Sequence, residues 1–434
     1  MRIPQKENRC ALSRVDVDLI IEHAQQLITA KGFTQRPAKG SEMEELGIIH
    51  DGAVAIDNEK IVAVSKSEEI LSKYAAKERL DTAGKIATPG LVDSHTHFVF
   101  AGSRESELEL KIKGASYLEI LQKGGGILRT VRDTRAASKE TLLQTCRERA
   151  KSLLVHGTTT IEAKSGYGLS LRDEIKSLEV INSLNDEGPL AVIPTFLGAH
   201  AIPPEFEGRT NDYVDLIIGD WLPQISQGHL ARFCDVFCEK GVFDIDQSRR
   251  ILLAGKQLGL MPRIHADELY PFGGAELAAE VGAVSADHLL YASDLGIERM
   301  REAGVIATLL PAAPLTLMLD RYADARKFIT HGVPVALGSD LSPSCWIENE
   351  QLVTALACYK LKMTPAEAIM AATINAAHSI QNAHEIGSLE VGKKADITIF
   401  NATDYRFLGY RLGVNMVDTV IKNGKVVVRD GHLA

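Results

Sequence analysis

The chain has 434 residues, 45% of them hydrophobic and 24% charged, a balance that excludes disordered and fibrous architectures and allows a barrel-sized core plus an accessory unit. A formal net charge of -9 with no long run of Lys or Arg argues against nucleic acid as a partner and favours a small molecule. The six cysteines, Cys10, Cys146, Cys234, Cys238, Cys345 and Cys358, contain no CxxC pair, which fits a reducing compartment and an expected cytoplasmic location. Residues Met1 to Arg9 are polar rather than signal-like, and no apolar run is long enough to cross a bilayer.

In chain order, residues from Val15 to Thr82 alternate short apolar runs with charged turns, which predicts a small β-rich unit. A matching piece closes the chain at 395–400 and 417–428, where Asn423-Gly424 predicts a hairpin turn. Both ends therefore read as one small sheet domain. The middle repeats a short apolar strand followed by a helical pattern, with strands expected at 91–97, 158–163, 190–196, 233–238, 261–265, 283–288, 305–310 and 333–338. Parallel strands in that number with crossover helices describe a barrel, whose reactive groups sit at the C-terminal strand ends.

The first of these strands ends in His95-Thr96-His97. Residues two apart on a strand share a face, so the two imidazoles form half of a metal site or, more plainly, two hydrogen-bonded histidines at a strand tip. The other strand ends bear on the choice: the fifth ends in His265 followed by Asp267 and Glu268, the sixth in Asp287-His288, and the eighth runs into Ser339-Asp340. At one barrel mouth His95, His97, His265 and Asp340 make a set of three nitrogens and one oxygen suited to zinc or ferrous iron. Such an ion lowers the pKa of water and supplies a hydroxide nucleophile. In that scheme Asp340 holds the metal and accepts the water proton, His288 hydrogen-bonds the nucleophile, and Glu268 carries a proton to a leaving nitrogen. The plainer role for Glu268 is a carboxylate at a helix N-terminus.

The run Pro89-Gly90-Leu91-Val92-Asp93-Ser94-His95-Thr96-His97, the later His265-Ala266-Asp267-Glu268 and Ser339-Asp340, and the closing residues 387–397 resemble the amidohydrolase superfamily across nearly the whole chain. Longer strings at 97–104, 123–127, 162–169, 197–200 and 265–268 are similar, within it, to the imidazolonepropionase family. The resemblance implies an α/β fold, a (β/α)8 TIM-like barrel at 86–388 with a small β-sandwich built from residues 1–85 and 389–434, and a homodimer. It also implies hydrolysis of 4-imidazolone-5-propanoate to N-formimidoyl-L-glutamate in histidine degradation, with one zinc or iron ion on His95, His97, His265 and Asp340.

Substrate contacts implied by the resemblance are Arg104, Tyr167, His200 and Glu268. Arg104 suits bidentate pairing with the propionate, Tyr167 donation to the same carboxylate, and His200 polarisation of the ring carbonyl, with a fifth metal ligand as the rival role for His200. After the eighth strand the family pattern Asp-x-Asn-Pro-Gly gives way to Asp340-Leu341-Ser342-Pro343-Ser344-Cys345, so Ser342, Ser344 and Cys345 stand as substrate-facing candidates of shorter reach. Gly124-Gly125-Gly126 lacks phosphate-loop spacing and reads as a loop beside the pocket, and Glu239 reads as structural. The same features admit a deaminase of an aminated heterocycle, or a non-catalytic amidohydrolase-like scaffold acting through subunit contacts.

Overall fold

The computed structural model describes residues 14–114 and 125–434; Met1 to Arg9, Cys10, Lys123 and Gly124 lie outside the described residues. Eight parallel strands follow one another around a single sheet: Leu91–Thr96, Thr158–Lys164, Ala191–Ala199, Phe233–Cys238, Met261–Ala266, Ser285–His288, Ile306–Leu309 and Val335–Leu337. Helices cover the outside, so most strand residues on both faces are buried, and the strands read as apolar runs rather than alternations. Two of the outer helices, Lys139–Val155 and Leu171–Glu187, begin where Ser138 and Ser170 accept hydrogen bonds from the backbone amides of Thr141 and Asp173.

The ring closes at the site that matters. Thr96 bridges to Leu341 in parallel, the His97 amide donates to the Leu341 carbonyl at 2.8 Å, and the Asp340 amide donates to the His95 carbonyl at 3.1 Å. Closure therefore sets the two-histidine strand directly against the segment carrying Asp340. Gly338 is required here, because a Cβ would lie 2.9 Å from the His95 nitrogen.

A sandwich stands beside the barrel. One sheet has four strands, Val15–Ala24, Gly52–Asp57, Lys60–Lys66 and Tyr74–Asp81. The other has seven and joins both chain ends: Gln26–Ile28, Ile48–Ile49 and Ile86–Pro89 with Ile397–Phe400, Val417–Lys422, Lys425–Arg429 and His432–Leu433. Leu19, Ile21, Val54, Ile56, Ala87, Ile397, Ile399 and Ile421 form the shared core between them. The expected hairpin is present, with Asn423 and Gly424 at φ 49° and 74°, the left-handed pair of a two-residue turn. Ile86–Pro89 lies in the sandwich and Leu91 opens the barrel, so the strand carrying His95 and His97 is anchored directly by the sandwich sheet. Among the described residues no helix is long and apolar enough to cross a membrane.

Candidate active site

His95, His97, His265 and Asp340 converge at the C-terminal mouth of the barrel. Asp340 Oδ1 lies 3.6 Å from His95 Nε2 and 3.4 Å from His97 Nε2, and the Nε2 atoms of His97 and His265 are 3.3 Å apart. Two groups of side chains with atoms close enough to share an ion meet at His95: one with His97 and Asp340, the other with His265 and His288. The buried His95 Nε2 has no protein partner. Its other nitrogen, Nδ1, is 2.6 Å from Asp287 Oδ2, and His265 Nδ1 is 3.2 Å from Asp235 Oδ1. A carboxylate accepts, so both Nδ1 atoms carry the proton and both Nε2 lone pairs face the convergence point. Burial holds the pKa values of His95 and His97 well below the usual histidine range, leaving them as neutral ligands. This donor set fits a zinc- or iron-type ion.

Beside these four side chains lies a buried ionic layer. Lys164 Nζ is 2.9 Å from Glu162 and 2.8 Å from Asp235, while Arg263 reaches Asp287 at 3.0 Å; all five side chains are fully buried. Asp93, two residues before His95, accepts from the Ser339 amide at 2.9 Å and from the Ser339 hydroxyl at 2.5 Å. It thereby ties the histidine strand to the turn in which Asp340 adopts φ 56°. Burial raises the Asp93 carboxyl to about 7.

A cavity of about 380 Å³ is lined by His97, His265 and Asp340 together with Glu268, His288, Arg104, Tyr167, His200, Ser342 and Ser344. Burial, followed by the charges of Asp340 and Glu239, pushes the Glu268 carboxyl well above its ordinary range. His288 Nε2 is 3.6 Å from Glu268 Oε2, and burial lowers its pKa to about 3. Glu239 is structural in its contacts: its oxygens accept from the amides of Lys240 and Leu269 at 2.9 and 2.8 Å, bracing the turn that carries Glu268. Asp267 accepts from Phe272, Gly273, Gly274 and Ala275 and so caps the following helix, the role considered for its neighbour Glu268.

In the cavity wall Arg104 is only 8% exposed by its side chain and is gripped by Glu107 through Nε at 2.9 Å and a terminal nitrogen at 2.7 Å. Glu107 also accepts from the Gly126 amide at 2.7 Å. Tyr167 sits on a loop held by Glu174, which accepts from the amides of Gly166, Gly168 and Leu169. Its ring centre is 5.8 Å from that of His97 and 5.1 Å from that of His200. His200 stacks on His97 at 4.7 Å, and its Nδ1 lies 3.0 Å from the Gly166 carbonyl. A carbonyl only accepts, so His200 carries its proton on Nδ1 and, held neutral by burial, offers an acceptor at Nε2. Gly166 permits this approach at φ 107°, since a Cβ there would lie 3.0 Å from His200 Nδ1.

Cys345 is not part of the cavity wall: its thiol points to the Ser339 carbonyl at 3.4 Å, 1% of the residue is exposed, and burial raises its pKa far above the usual thiol range. The Ser342 and Ser344 hydroxyls lie 3.2 Å from one another, and Ser342 Oγ also accepts from the Cys345 amide, so the loop binds its own polar groups. Sequence reasoning missed Asp235, Glu162, Lys164, Arg263 and Glu107 as parts of the site. Charged residues inside otherwise apolar strands, at period two in Glu162 and Lys164, were the available signal for the first four.

Comparison with known proteins places this arrangement. Residues 269–427 match the amidohydrolase family. The chain is 53% identical over 420 residues to the imidazolonepropionase of Geobacillus kaustophilus, covering 96% of this chain and 99% of that protein. It is 51% identical to that of Brevibacillus brevis, over 95% of this chain and 99% of the relative, and 48% identical to that of Parabacteroides distasonis, over 94% and 98%. Among solved structures, a zinc-bound adenosine deaminase from Xanthomonas campestris superposes with a TM-score of 0.72 at 18% identity, over 97% of this chain and 95% of the other. An Aspergillus niger ochratoxinase gives 0.68 at 20% identity, over 96% of each chain, and these two likenesses speak to the fold alone.

Proposed function

The chain belongs to the imidazolonepropionase family of the amidohydrolases, and we propose that it hydrolyses 4-imidazolone-5-propanoate to N-formimidoyl-L-glutamate with one ion held by His95, His97, His265 and Asp340. The observation that carries this reading is the pairing, in the lining of one cavity, of His97, His265 and Asp340 with a buried Arg104, a cation suited to a propionate. The ion is assigned as zinc or iron, and when bound it activates water for attack on the ring carbonyl.

The protein groups divide the remaining work. Arg104, preset by Glu107, takes the propionate, and Tyr167 donates to the same carboxylate. His200 is assigned a role opposite to carbonyl polarisation: with Nδ1–H committed to Gly166, its Nε2 accepts from a ring N–H and fixes the substrate's orientation. Asp340 directs one oxygen toward the histidines and uses the other to take a proton from the attacking water. His288, neutral, accepts a hydrogen bond from that water. Glu268, whose proton affinity burial raises, is assigned to deliver a proton to the ring nitrogen as the carbon–nitrogen bond breaks. Ser342 and Ser344 line the product side of the cavity and Cys345 supports their turn.

We assign a homodimer in the cytoplasm, a location supported by the five described cysteines, all free thiols. The test is substrate disappearance followed spectroscopically with the metallated protein, with ammonia assayed alongside. Ring opening without ammonia supports the proposal; ammonia release with an intact ring carbon skeleton would instead identify a deaminase.

A further inference from the structure

The ionic layer beside the ligands has a composition that calls for an explanation. Two cations, Lys164 and Arg263, face three carboxylates, Glu162, Asp235 and Asp287, with every side chain 0% exposed. Arg263 is committed elsewhere as well, donating to the carbonyls of Ser379 at 2.6 Å and Ser94 at 2.8 Å besides Asp287 at 3.0 Å. Lys164 Nζ alone reaches all three carboxylates, at 2.9 Å to Glu162, 2.8 Å to Asp235 and 3.9 Å to Asp287. Two of these three are the carboxylates on which the Nδ1–H groups of His265 and His95 rest.

Resting on the ligand assignment proposed above, the geometry points to Lys164 as a positioning residue for the metal site: its ammonium holds Asp235 and Asp287 side by side so that each fixes one ligand imidazole with Nε2 toward the ion. Charge counting agrees. The buried layer carries one net negative charge, Asp340 adds a second, and a divalent ion renders the whole neutral. Without the ammonium, three carboxylates share one guanidinium in a fully buried layer. Their repulsion displaces Asp235 and Asp287, and the two imidazoles lose their fixed orientation. Glu162 has a different standing. It touches no ligand side chain, but accepts from the Thr96 amide at 3.2 Å and balances Lys164. Removing the charges of Glu162 and Lys164 together therefore restores the balance while leaving both ligand-bracing carboxylates in place.

That asymmetry supplies the test. Metal-free wild type, Lys164→Met and the double variant Glu162→Gln/Lys164→Met are titrated with zinc against a chromogenic chelator, and the apo unfolding transition of each is recorded. Lys164→Met should bind zinc about ten- to hundredfold more weakly than wild type, and the double variant should regain most of that loss. Unchanged affinity in Lys164→Met, or a double variant as weak as the single one, would overturn the inference that charge balance in this layer positions the two imidazoles. If Lys164→Met does not fold, Lys164→Gln takes its place with the same two expectations. Wild type that binds no zinc or iron would overturn the ligand assignment itself, and this inference with it.

Discussion

Replacing Arg104 by Ala probes the substrate assignment most sharply. The guanidinium is buried and already oriented, so its hydrogen bonds to a bound carboxylate are little screened by solvent. Charge-assisted bonds of this kind are worth about 1.5–3 kcal/mol net, which at a tenfold change per 1.4 kcal/mol predicts a rise in KM of roughly ten- to a hundredfold. Because the propionate is remote from the breaking bond, kcat should change little. The same substitution strips Glu107 Oε2 of its guanidinium and leaves Glu107, among the described residues, the hydrogen bond from the Gly126 amide, a loss of about 2–3 kcal/mol in stability. The double variant Arg104→Ala/Glu107→Gln separates the two effects: stability should recover and KM should stay high. Steady-state kinetics on the imidazolone substrate, with thermal unfolding alongside, read both. A fall in kcat by that factor at unchanged KM would refute the carboxylate assignment.

Three further outcomes follow from the same geometry. Glu268→Gln should lower kcat by about a hundred- to ten-thousandfold. Since burial raises the Glu268 carboxyl and the acid form is the active one, wild-type activity should decline as pH rises through that raised value, a limb absent from the pH–rate profile of the variant. Asp287→Asn, which removes the charge resting on His95 Nδ1, should weaken metal binding about ten- to hundredfold in a chelator titration while the chain still folds. Glu350 is fully buried, and neither carboxyl oxygen has a partner within the described residues. Burial and then Asp93 raise its carboxyl well above the ordinary range, so its contribution to stability declines as pH rises above the unfolded value. Glu350→Gln should therefore raise the melting temperature more at about pH 8 than at about pH 4.

The barrel was legible because buried parallel strands carry apolar runs of the right length, and the observed Ala191–Ala199 and Val335–Leu337 fall within a few residues of the expected runs. The convergence of His95, His97, His265 and Asp340 was legible for a related reason: strand ends expose polar residues to one mouth, so these four announce themselves by position. The residues that orient them do not. Asp235, Lys164 and Arg263 acquire meaning only when neighbouring strands pair, as Phe237 pairs with His265 and His265 with Asp287. The proton position on His200 is likewise a matter of contact with a carbonyl 34 residues away, which no local pattern encodes. Cys345 shows the converse, a residue placed near the site by sequence whose side chain the turn directs into the protein.

The central claim is that one ion on His95, His97, His265 and Asp340 drives the hydrolysis. Metal content per chain, measured on wild type and His265→Ala and again after chelation with turnover followed in parallel, tests it directly. Wild-type protein should carry one zinc or iron per chain and His265→Ala none, and chelation should abolish turnover until the metal is added back. Wild-type protein that turns over substrate at full rate without stoichiometric metal would contradict it.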